Sequence, residues 1–125
     1  MNINDINYTH IYWIFLLPLI MASADIATGW IQASVNGTWD STKMRKGLYR
    51  KAGELGVIVL AYVAGMALTL PINLAGFVSG YIVIMEAISI LENLDQAGVP
   101  IPHWITKKLG KVAKDMDEAE GDDEE

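Results

Sequence analysis

Four polar side chains carry whatever chemistry this chain performs inside its apolar segments: Asp25, Glu86, Glu92 and Asn93. Glu86 lies within the run GYIVIMEAISILENLDQAGVPIP of residues 80–102, which starts apolar enough for lipid and ends in a Gly-Val-Pro-Ile-Pro breaker. A charge at the bilayer centre costs about 2.5–3.5 kcal/mol on insertion scales, so such an acid must face protein, water or a second chain. Intramembrane carboxylates relay protons in transporters, but no paired broken helices or inverted repeat accompanies these. His10 and His103 stand at opposite ends beside aromatic residues, and no HExxH, GxSxG, P-loop or dinucleotide fingerprint occurs. Catalytic, cofactor-binding and metal-binding residues are therefore not expected, and helix association is the chemistry left to the acids.

The composition agrees. The chain has 125 residues, 52% of them hydrophobic, with a positive mean hydropathy. That is one small domain at most, with its apolar residues in blocks. The net charge of −6 conceals a segregation of sign, because eight of fifteen acids fall between Asp115 and Glu125. Cysteine is absent, which excludes disulfides, cysteine metal sites and thiol chemistry.

These blocks predict an all-α polytopic membrane protein with three transmembrane helices and an amphipathic surface helix. Residues 1–10 form a short polar N-terminus and residues 11–33 the first span, near the roughly 20 residues needed to cross about 30 Å of hydrocarbon. Tyr8, Tyr12, Trp13 and Trp30 suit its two headgroup levels. Ala22-Ser23-Ala24 resembles a signal-peptidase site, but a basic n-region is missing and apolar character continues to Ile31. Helical spacing puts Pro18, Ala22, Asp25, Thr28 or Gly29, and Gln32 on one side, opposite Leu17, Ile20 and Ile31. Asp25 then faces protein or lies close enough to the interface to be solvated.

Residues 34–54 read as a polar loop, with an Asn36-Gly37 turn and a short helix capped by Asp40-Ser41-Thr42. Lys43, Arg45, Lys46, Arg50 and Lys51 make it basic, and its place between two apolar runs assigns it to anionic lipid heads rather than nucleic acid. Residues 55–70 are the second span, where Ala61 and Gly65 form a small-xxx-small pair. Pro71-Ile72-Asn73 reverses the chain into the third span, residues 72–93. There Gly76 to Gly80 make a GxxxG pattern, and Gly76, Ser79, Gly80, Val83, Glu86, Ser89 and Asn93 recur at three- and four-residue steps. This face packs against the other two spans, or else against neighbouring chains or a pore. Residues 94–114 hold the breaker and a helix with the apolar stripe Trp104, Ile105, Leu109, Val112 and Met116; Lys107, Lys108, Lys111 and Lys114 suit it to an anionic bilayer surface. Residues 115–125 read as a disordered acidic tail. Basic segments favour the cytoplasm, so three spans put the N-terminus outside and the C-terminus inside. A two-span arrangement, with the first segment in the interface, is the alternative.

Asp25-Ile26-Ala27-Thr28-Gly29, Ser41 with Lys46-Gly47-Leu48 and Lys51, Met85 to Asn93, and Ala97-Gly98-Val99-Pro100-Ile101-Pro102 together resemble the phage lysis and toxin-secretion holin family in order and spacing. The segment Ser-Ile-Leu-Glu-Asn followed by Gly-Val-Pro-x-Pro is its most specific part. The resemblance implies a protein of the bacterial cytoplasmic membrane, with no cofactor or catalytic residue. Such a protein accumulates, forms homo-oligomeric lesions and lets an endolysin or a toxin leave the cell. An antiholin regulating another holin, or a small channel or transporter, are the competing functions.

Overall fold

The computed structural model describes residues 3–121, with side chains placed from Ile11 to Glu118. The side chains of Tyr8 and His10 and the end of the acidic tail lie outside the described residues. Four helices and no strand are present among the described residues: α1 Ile3–Asn36, α2 Ser41–Ala67, α3 Leu74–Gln96 and α4 His103–Gly121.

Two stretches, Ile11–Asn36 and Leu74–Gln96, are long and apolar enough to cross a membrane. Within each, only 22% of an 18-residue apolar stretch is buried by the protein itself, whereas the core helix of a water-soluble domain would be mostly covered. Leu17, Leu19, Ile20, Trp30 and Ile31 of α1 are all exposed, more apolar surface than a monomer in water ordinarily leaves open.

The expected second span does not stand alone. Its helical part is the C-terminal half of α2, whose N-terminal half carries the basic cluster, so the expected loop is helical from Ser41 onward. The cause is local. Asp40, extended at φ −139°, accepts from the backbone N–H groups of Thr42 (3.0 Å) and Lys43 (3.2 Å), which starts the helix. No proline interrupts the next 27 residues, and a glycine within a helix costs only about 1 kcal/mol. The apolar part, residues 55–67, rises about 20 Å, less than the roughly 30 Å of a hydrocarbon core. The acidic segment differs in the same sense, for α4 continues to Gly121 and makes residues 115–121 helical rather than disordered.

The C-termini of α1, α2 and α3 close alike. Thr38 N–H donates to Ala33 O, Leu70 N–H to Gly65 O and Val99 N–H to Leu94 O, each a six-residue wrap around a residue of positive φ. Gly37 (φ 64°) and Gly98 (φ 95°) supply that conformation freely. At the end of α2 the residue is Thr69, φ 47°, a β-branched side chain in the left-handed region. Asn73 then caps α3, its Oδ1 accepting from Gly76 N–H at 3.0 Å.

The chain divides into two compact units. One combines Asp40–Val83 with the chain up to Ala22. Its core holds Ile14, Ile58, Ala61, Ala75 and Ile82, and Phe15 meets Tyr62 edge-on at 5.9 Å. The other combines Ser23–Trp39 with the chain from Ile84 on, and buries Asp25, Ala33, Glu86 and Ala113.

Thr69→Gly is expected to stabilise the fold by roughly 0.5–1 kcal/mol, the left-handed cost of about 1–2 kcal/mol less the entropy glycine loses on ordering. Unfolding in detergent by heat or dodecyl sulfate measures it; an unchanged or lower midpoint would show that Thr69 carries no strain.

Candidate functional site

In the first unit, one proline creates the key polar contact. Within a helix the carbonyl of Ile14 would accept from the N–H of residue 18, but residue 18 is proline and has none. Ser79 of α3 supplies the missing donor, its Oγ–H reaching Ile14 O at 2.7 Å in a buried position. Pro18 is fully buried as well. In hydrocarbon an unpaired carbonyl costs several kcal/mol, so this hydroxyl turns a defect of α1 into a tie between α1 and α3.

In the second unit, Asn93 plays the corresponding part. Its Nδ2 lies 2.8 Å from Asp25 Oδ1, 3.1 Å from Thr28 Oγ1 and 3.2 Å from Asp25 O. Thr28 in turn donates its hydroxyl to Ala24 O at 2.9 Å, leaving its lone pairs for the amide. Gly29 borders the same group, since a Cβ there would sit 3.6 Å from Asn93 Nδ2. The Asp-x-x-Thr-Gly element is therefore the receptor for the Asn93 amide. Asn36 Nδ2 adds a further tie by donating to Gln96 O at 3.0 Å, at the ends of α1 and α3.

The remaining residues marked by the sequence separate into groups. Glu86 is 2% exposed, the most deeply placed acid among the described residues, and Ser89 is half-buried, while Glu92 is exposed. Ala61 belongs to the core and Gly80 is half-buried, but a Cβ on Gly65 would meet open space. A Cβ on Gly76 would collide with the Asn73 side chain at 2.5 Å, so Gly76 makes room for the cap of its own helix. Lys43, Arg45, Lys46 and Arg50 are exposed, and Arg50 lies 3.6 Å from Glu54 on the helix surface; such a pair contributes little. Lys107, Lys108, Lys111 and Lys114 are exposed too.

Lys51 is the residue that composition misplaces. It is 7% exposed, the one buried member of the basic cluster. The spacing Lys51, Leu55, Ile58, Ala61 puts it on the inner stripe of α2, and that periodicity was the available signal. No buried side-chain nitrogen or oxygen among the described residues lacks a hydrogen-bond partner, so the burial of Asp25, Lys51 and Glu86 is compensated, as low-dielectric surroundings require.

Apolar helices tied by buried polar contacts, with cationic segments flanking them, define a small helical membrane protein. Its family follows from the chain as a whole: residues 6–114 match the bacteriophage holin family, from α1 well into α4, and the chain belongs to that family of non-enzymatic membrane proteins. No curated protein and no solved structure matches the chain.

The proline contact makes a double-mutant test. Ser79→Ala should destabilise by about 1–3 kcal/mol, the cost of an orphaned buried carbonyl. In a Pro18→Ala background, where residue 18 regains its N–H, the same change should cost well under half as much. Additivity within about 0.5 kcal/mol would show that Ser79 does not serve the carbonyl freed by proline.

Proposed function

We propose that this chain is a lesion-forming holin: it accumulates in the bacterial cytoplasmic membrane, associates with copies of itself and opens a path for an endolysin or a toxin. Family membership is the observation that carries this reading. Helices whose polar groups are paired within one chain can insert singly, without exposing a carboxylate to lipid. The same groups can then exchange their internal partners for those of neighbouring chains as density rises. The open position at Gly65 on α2 favours close approach by a second copy.

In this reading α1, α2 and α3 all span. The apolar half of α2 is short, and its basic half snorkels to the cytoplasmic headgroups. The N-terminus then lies outside, the turn after Thr69 outside, and the junctions at Thr38 and Val99 in the cytoplasm. Because the chain has no cysteine, single cysteines report topology cleanly. An impermeant maleimide should label Ile72→Cys from outside intact spheroplasts, and label Thr38→Cys and Val99→Cys only in inverted vesicles. Labelling of positions 38 and 72 from one side would remove α2 as a span.

Induction in a bacterium decides the function. Expression should depolarise the membrane after a lag, and lysis should follow only when an endolysin is present in the cytoplasm. Gly80→Leu should insert yet shift or abolish the onset, because a bulky side chain blocks helix approach on α3. Selective ion flux with cells surviving would instead identify a channel, and delay of another holin's lysis an antiholin.

A further inference from the structure

The fourth helix assigns its two sides differently from its sequence pattern. Of the apolar stripe that should lie on the bilayer, Val112 is exposed, but Ile105, Leu109 and Met116 are half-buried, beside Ala113 at 5% exposed. At 100° per residue the last four fall on one arc. The opposite arc holds Trp104, Lys107, Lys108, Lys111 and Lys114, all exposed, with Trp104 at 64%. Lys108 Nζ stands 5.9 Å from the centre of the Trp104 ring, which holds a cation and an amphipathic ring as one feature. One cation on this face meets an acid of the same helix, Lys114 with Glu118 at 3.9 Å.

We infer that the outward face of α4, centred on Trp104 and Lys108, is a binding surface for anionic phospholipid headgroups. Charge complementarity supports that occupant, since three cations and an indole stand together ahead of the acidic half of the helix. Position supports it too. Only residues 97–102 separate α4 from the end of the apolar helix α3, so its first turn stays within about 25 Å of that end. The contact is lateral and electrostatic, with the apolar side of the helix already engaged by the protein, unlike an amphipathic helix lying apolar face down. It rests on membrane insertion of α3 and is independent of lesion formation.

The test uses the full chain with Trp13, Trp30 and Trp39 replaced by phenylalanine, leaving Trp104 as the reporter. The protein is placed in nanodiscs of phosphatidylcholine alone and in discs with added phosphatidylglycerol, insertion being checked first by co-elution with the disc. Iodide quenching of Trp104 should fall severalfold in the anionic discs. High salt should abolish the protection, and so should joint replacement of Lys107, Lys108 and Lys111 by glutamine, whereas Lys43→Gln should leave it intact. Equal quenching in both discs would overturn the proposal. So would protection that survives loss of the three lysines, or equal protection in neutral discs by a DNA duplex, which would make the face a nucleic-acid site.

Discussion

Inside a bilayer no water is available to pair a stray carbonyl, and the contact between Ile14 and Ser79 answers that constraint. Pro18 removes one N–H from α1, and the carbonyl so freed is taken by a hydroxyl on α3. The consequence reaches beyond one hydrogen bond. Pro18 and Ser79 are both buried, and Ile14 and Ile82 belong to the same core, so the register of α1 on α3 is fixed where apolar packing alone would allow sliding. Leucine and isoleucine side chains are nearly as content against lipid as against each other, so polar ties specify which faces meet.

The second unit repeats the logic with different groups. Asn93 offers two N–H donors to a carboxylate, a hydroxyl and a backbone carbonyl, so the clasp has more acceptors than donors. An amide that shares its hydrogens holds a geometry while leaving each bond replaceable. Lys51 shows the complementary case. It is drawn inside on the basic half of α2, where Lys43, Arg45, Lys46 and Arg50 are exposed.

Much of this was legible in the sequence, for reasons of period and residue type. The spacing of Pro18, Ala22 and Asp25 located the buried side of α1, and Leu17, Ile20 and Ile31 its outer side. Asp25, Thr28, Gly29 and Asn93 were all marked, although their meeting is a tertiary fact that no local pattern encodes. The partner of Ser79 could not be read, because it is a backbone atom exposed by a proline 61 positions away in sequence. Gly76 shows how a motif misleads: half of a GxxxG pattern serves an asparagine cap within its own helix. Thr69 was hidden because its type argues against the φ it adopts. The length of α2 was missed because a change of composition from basic to apolar is not a change of backbone conformation.

The magnitudes bear on how such a chain could switch. Hydrogen bonds between membrane helices average about 0.6 kcal/mol and reach about 1.7 kcal/mol, because the separated helices also find partners. Each tenfold rise in concentration shifts an association equilibrium by about 1.4 kcal/mol. A concentration change of two decades is thus worth roughly two to five such ties. Had the clasps been made of fully buried, strongly coupled ion pairs, breaking one would cost about 3–5 kcal/mol and density alone would not release them. The ties between α1 and α3 are of the weaker kind: Ser79 donates to a backbone carbonyl, and Asn93 donates to a carboxylate, a carbonyl and the Thr28 hydroxyl.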